Sequence, residues 1–129
     1  MLLVRPVSLR LSVVLLVALL NADGFAAEKS PRYETEIRPI LKAHCTHCHG
    51  EEPKPGGGVD LRLRRFMDGK TKDGSPILLP GKPEESELLR VIHEGEMPKK
   101  GKKLSPEEIV LLERWVKDGA KIGASEPES

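Results

Sequence analysis

Cys45-Thr46-His47-Cys48-His49 is the stretch on which the reading of this chain turns. It holds the only two cysteines, three residues apart, with a histidine directly after the second. On a helical turn, residues three apart share a face, so thiols at this spacing reach neighbouring edges of one flat body. C-x-x-C-H is the attachment signature of c-type haem: each sulfur forms a thioether with one vinyl group, and the next imidazole lies beside the ring as the proximal iron ligand. Cys45 and Cys48 are thus the expected covalent anchors of one haem c, with His49 on the iron. Two other uses of the pair compete. A thioredoxin-type disulfide needs a βαβ setting, of which the sequence gives no sign. A structural zinc site usually takes four ligands, commonly as two pairs. His44, His47 and His49 stand close to the cysteines, but no second pair follows downstream.

The chain has 129 residues, enough for one domain. Arg5 and Arg10 precede an apolar run over residues 11–20 broken only by Ser12, and Gly24-Phe25-Ala26-Ala27 follows. This is the pattern of a secretory signal peptide over residues 1–26, cleaved after Ala26 or Ala27 and leaving a single domain at 27–129. The run falls short of the roughly twenty apolar residues a membrane span takes, although retention as an anchor stays open. Export predicts a periplasmic or other extracytoplasmic location. In such an oxidising space an idle cysteine pair would close to a disulfide, and thioether attachment removes that problem.

Charge excludes some partners. The 21 basic and 20 acidic residues become 19 of each once Arg5, Arg10 and Asp23 leave with the leader. A neutral domain is not built to hold nucleic acid or an acidic membrane surface in bulk. Its aromatics are only Tyr33, Phe66 and Trp115. A domain of about a hundred residues buries a modest share of its surface, so a large flat cofactor at its centre would help it fold.

The elements predicted are helices joined by long loops, an all-α fold. Ser30-Pro31 reads as an N-cap with proline at the first helical position. Ile37, Ile40, Leu41, His44, Cys45 and Cys48 recur at helical steps, predicting a helix over 33–47 disturbed at Pro39. Residues 50–58, rich in glycine and proline, form a surface loop expected to fold over one haem edge. Val59, Leu61 and Leu63 alternate like a short extended piece, and residues 62–68 suit a short helix ended by Gly69. A second helix is expected from Pro83, with Glu84, Glu85 and Glu87 in its first turn, Leu88, Leu89, Val91 and Ile92 inward, and Gly95 at its end. Ser105-Pro106-Glu107-Glu108 is a capping-box start for a third, burying Ile109, Leu112, Trp115 and Val116 and stopping at Gly119. The polar tail at 123–129 is expected to fray.

An electron-transfer site needs a sixth iron ligand, and Met67, Met97, His44, His47 and His93 are the candidates. Met97 lies in the constrained Gly95-Glu96-Met97-Pro98 loop, where a thioether can be held in a fixed direction. Met67 follows Phe66 and reads as packing. His44 and His47 share one short segment with His49 and cannot easily cross to the other haem face. His93, ending an apolar helix, reads as a structural or surface histidine. Lys99, Lys100, Lys102 and Lys103 follow Met97 and would surround that side of the haem, where they could steer an acidic redox partner.

With these residues in place, the chain resembles a class I cytochrome c, and more closely the planctomycete-type cytochrome c domain. The likeness rests on Ile37-Arg38-Pro39-Ile40-Leu41, Cys45-Thr46-His47-Cys48-His49-Gly50, Gly57-Gly58 with Leu61, and Pro80-Gly81-Lys82-Pro83 with Ser86. It continues in Met97-Pro98, Leu104-Ser105 and Trp115-Val116-Lys117-Asp118-Gly119-Ala120. The resemblance implies a small helical fold whose first and last helices cross beside the haem, with Trp115 at the crossing. It implies Cys45 and Cys48 as anchors, His49 as proximal and Met97 as distal ligand. Lys99 stands where the family usually has a second proline. The function expected is an exported monohaem cytochrome carrying single electrons between redox proteins, monomeric and without chemistry on a small substrate. A haem sensor with an open sixth site, or an electron-transfer subunit of a periplasmic dehydrogenase, are the alternatives.

Overall fold

The computed structural model describes residues 29–128. The expected leader, with Ala26 and Ala27, lies outside the described residues. Within them the regular structure is helical: α1 at Arg38–His44, α2 at Glu87–His93 and α3 at Pro106–Lys117. Single turns at Gly56–Gly58, Arg64–Asp68 and Pro83–Glu85 punctuate the connections. The described residues hold no strand, only an isolated antiparallel bridge between Lys70 and Pro76. None of their helices is long and apolar enough to cross a membrane.

The first helical segment is shorter than its hydrophobic period predicts. A wide π-type turn, Tyr33–Ile37, precedes α1, and the Ile37 N–H reaches back to the Arg32 carbonyl at 3.3 Å. Pro39 then falls in the first turn of α1, where a missing N–H costs no helical bond. The disturbance at Pro39 is therefore a change of winding, and α1 ends at His44, just before the motif. Ser30 is not the cap. Arg32 holds the N-cap position; its side chain makes no cap bond, and its own N–H donates to Glu36 Oε2 at 2.8 Å.

Ser86 splits the second helix in two. Its side chain accepts the Leu79 N–H at 2.9 Å and donates to the Lys82 carbonyl at 2.9 Å, fixing a break after Pro83–Glu85. Glu84 and Glu85 thus belong to the preceding turn, and only Glu87 lies in the first turn of α2. The start of α3 follows its sequence closely. Ser105 Oγ accepts the Glu108 N–H at 3.2 Å, and the Glu108 carboxylate accepts the Ser105 N–H at 2.7 Å. Both partners lie within one turn, so the signal is wholly local.

Leu112, Trp115 and Val116 of α3 pack into a core shared with Tyr33, Ile37, Ile40 and Leu41 from the first segment. Tyr33 stacks on Trp115 with ring centroids 5.4 Å apart and planes at 23°, joining the first turn to the last helix. Trp115 Nε1 donates to the Lys121 carbonyl at 2.9 Å. Burial pushes the Tyr33 hydroxyl pKa up to about 12. Leu61 and Leu63 turn the same way into the interior, as their alternation predicts, without a strand partner.

The tail differs most from its expectation. The Gly123 and Ala124 N–H groups donate to Glu34 Oε1 at 2.7 and 3.0 Å. The Glu126 carboxylate accepts the backbone N–H groups of Arg64 and Arg65 at the head of the Arg64–Asp68 turn. Arg64 itself is buried, donating to the Ala120 carbonyl at 2.9 Å with its guanidinium 5.9 Å from the Trp115 ring centre. The tail is thus docked on the same side as the Tyr33–Trp115 stack.

Candidate functional site

The cysteine motif sits on a tightly determined turn. As α1 ends, the Cys45 and Thr46 N–H groups both donate to the Leu41 carbonyl, at 2.8 and 3.0 Å. The His49 N–H then donates to the Cys45 carbonyl at 3.0 Å, which winds both cysteines and the histidine into one coil. Buried Thr46 donates its hydroxyl to Glu51 at 2.9 Å and fixes the far side of the coil. The backbone leaves helical geometry at His49 and Gly50, and Gly50 has φ of 148°. A Cβ there would lie 2.5 Å from Arg62 Cγ and 2.7 Å from Asp60 Oδ1. Only glycine lets the Asp60–Arg62 pair close against the turn. The Leu61 N–H completes the enclosure by donating to the His49 carbonyl at 2.8 Å.

The two thiols have different surroundings. Both are free, Cys45 packed against the core and Cys48 exposed. Burial raises the Cys45 thiol to about 11. The His49 ring is covered on one side by the glycine-rich loop: a Cβ on Gly56 would come within 3.2 Å of His49 Cε1. The loop at 50–58 therefore folds over the histidine itself. His49 Nδ1 is buried without a hydrogen-bond partner.

These features fit a covalent haem. A sequestered ring nitrogen with no partner is a costly arrangement for an inert histidine, and a bound group would give that imidazole a use. Two unoxidised thiols at the right spacing stand beside it. A zinc site fits less well, because no three His, Cys, Asp or Glu side chains gather in a metal-holding group among the described residues.

Met97 is half-buried in the loop between α2 and α3. Its N–H donates to the Val91 carbonyl at 3.0 Å, its peptide bond to Pro98 is cis, and Pro98 is buried. Lys103 closes the loop: its ammonium donates to the Gly95 carbonyl at 3.0 Å and to the Pro98 carbonyl at 2.5 Å. All four lysines are exposed, and Lys103 is engaged within its own loop.

The other candidates take structural places. Met67 is fully buried in the core. His47 is exposed, 3.7 Å from Glu51, and His93 is exposed, 2.7 Å from Glu113. His44 does something the sequence does not signal. Its side chain is only 8% exposed, with Nδ1 3.0 Å from the Lys102 carbonyl and Nε2 3.3 Å from Glu108 Oε1. It joins the residue before Cys45 to the Met97 loop and to the cap of α3. Lys103 and His44 escape sequence reading because their partners are backbone oxygens and distant chain, which leave no spacing pattern.

A turn that presents two thiols and a following imidazole, in a small helical chain with a clasped methionine loop, fits a cytochrome c type of domain. Comparison with family models agrees. Residues 45–101 match the family described as planctomycete cytochrome C. The matched segment runs from Cys45 past Met97, so it contains both cysteines, His49 and the methionine loop. No curated protein and no solved structure matches the chain.

Proposed function

We propose that this protein is an exported monohaem c-type cytochrome that carries single electrons between redox proteins. Haem is held through thioethers at Cys45 and Cys48, with His49 and Met97 as axial ligands. The observation that carries the reading is the His49 turn: a ring nitrogen buried without a partner, beside two free thiols at attachment spacing, within a planctomycete cytochrome C segment. A bound haem supplies a one-electron iron couple. The chain's own part is to fix that group, keep water from it and set its potential through the axial ligands.

The Tyr33–Trp115 stack supports the class I arrangement, in which the first and last helical segments meet. The clasp of Lys103 on the Gly95 and Pro98 carbonyls supports Met97 as a ligand held in one direction. His–Met ligation raises a haem potential relative to more basic ligand pairs, which suits a carrier. An acidic partner would dock on Lys99, Lys100 and Lys102. Reversing two of these charges is expected to slow electron exchange at low salt and to have little effect at high salt.

Potentiometric titration of the haem-loaded protein tests the reading. A reversible one-electron couple whose ferrous form ignores carbon monoxide is expected. A ferrous form that binds carbon monoxide at once would favour a sensor with an open sixth site.

A further inference from the structure

We propose that His44 is a positioning residue that holds the Met97 loop against the haem-attachment turn through both of its ring nitrogens. The inference rests on Met97 being the distal ligand and goes beyond it, because His44, Lys102 and Glu108 all lie outside the matched family segment.

The geometry is specific. His44 is the last residue of α1, next to the first attachment cysteine. Its ring nitrogens point at two oxygens, the Lys102 carbonyl at 3.0 Å and Glu108 Oε1 at 3.3 Å. A carbonyl oxygen can only accept. Glu108 is held below the ordinary carboxylate range, first by the Ser105 N–H and then by His44, so it too is an acceptor. A neutral imidazole has one N–H and can satisfy one of these oxygens. Both ring nitrogens face acceptors, so the clasp is complete only when each carries a proton.

The clasp lies where it governs the loop. Lys102 is five residues from Met97, and Lys103 beside it is bonded to the Gly95 and Pro98 carbonyls. His44 thus pins one end of a stretch that Lys103 has already closed on itself. Glu108 is the third helical residue of α3 and part of its capping box, so the other arm ends on a fixed point. The charges acting at the ring are Glu108 from α3 and Lys102 from the loop, the latter also lowering the Glu108 carboxyl. The neighbouring Lys103 ammonium is taken up by its two carbonyls.

The test uses the haem-loaded protein and reads the sulfur-to-iron absorption band and the reduction potential between about pH 5 and 9, across the range where histidine charge changes. In the parent, the band is expected to weaken as pH rises and one arm of the clasp is lost. His44→Gln, whose two N–H donors sit on one nitrogen and cannot span acceptors on opposite edges of the ring, is expected to populate the methionine-off form roughly tenfold more at low pH and to flatten the profile. Glu108→Gln keeps the capping box but removes the counter-charge, and its profile is expected to move to lower pH. Should His44→Gln fail to fold, Glu108→Gln decides alone. A parent profile flat across this range, or variants with the parent's band, potential and profile, would overturn the proposal. A parent with no sulfur-to-iron band would remove Met97 as ligand and this inference with it.

Discussion

The attachment turn and the methionine loop are built in opposite ways. The turn at residues 45–51 is held by backbone bonds to near neighbours, by Thr46 on Glu51, and by a glycine that lets Asp60 and Arg62 approach. Its chemistry and much of its geometry are written in consecutive residues. The loop carrying Met97 makes one backbone bond at the methionine, to Val91, and owes the rest of its order to side chains, Lys103 across it and His44 from another element. A covalent anchor needs a rigid platform before attachment. A distal ligand needs only to be brought to the right place, and long polar arms can do that. The difference predicts that damage to the turn is local and severe, whereas damage to the loop is graded and sensitive to charge.

The sharpest way to break this contrast is thiol chemistry on the haem-free chain. With the Cys45 thiol raised from 9.0 to about 11, its thiolate fraction at neutral pH falls roughly a hundredfold, so iodoacetamide should label exposed Cys48 far ahead of Cys45. Equal labelling, read by mass spectrometry of the peptides, would mean that the turn is not formed before attachment. Gly50→Ala comes next. A Cβ there meets Arg62 Cγ and Asp60 Oδ1 at 2.5 and 2.7 Å with φ at 148°, and the loss expected in denaturant unfolding is about 2 kcal/mol. A neutral substitution would show that the Asp60–Arg62 pair is free to move away. On the loop, Lys103→Met removes two hydrogen bonds from one charged group and is expected to cost about 1 kcal/mol. It should also weaken the sulfur-to-iron band without affecting haem attachment, and lost attachment would erase the distinction between the two regions.

Helix α3 shows how much was legible where the physics is local. Ser105, Pro106 and Glu108 specify its start within one turn, and the structure has the capping box as read. The first helix was legible in its buried face, Ile37, Ile40 and Leu41, but not in its winding or its cap. Serine before proline is a common start signal, yet the turn begins at Tyr33, where the ring finds Trp115. Tertiary packing outweighed the local cap there. Ser86 broke a helix that its neighbours favour because its hydroxyl serves Leu79 and Lys82 outside that helix. The docked tail was illegible for the same reason as the His44 clasp. Glu34 binds amides 89 and 90 residues away, and a polar, glycine-containing sequence carries no mark of a distant acceptor.

The tail also supplies the smallest effect. The Glu34 carboxyl is held below its ordinary value by its own backbone N–H and by those of Ala124 and Gly123. A depressed carboxylate contributes stability that is present above the unfolded value and lost as pH falls through the folded one. Amide exchange at Gly123 and Ala124 should therefore quicken, relative to its intrinsic rate, as pH drops below the usual carboxylate range, while the core of α3 stays protected. Tail and α3 amides losing protection together would place the tail within the global unfolding unit.

The central claim is that His49 and Met97 together hold one haem iron in a site closed to added ligands. Visible spectra of oxidised and reduced haem-loaded protein, for the parent and for Met97→Ala, test it most directly. The account predicts a sulfur-to-iron band in the oxidised parent, absent from Met97→Ala, and a reduced parent that ignores carbon monoxide while the variant binds it. A parent without the band, five-coordinate and binding carbon monoxide as readily as the variant, would contradict it.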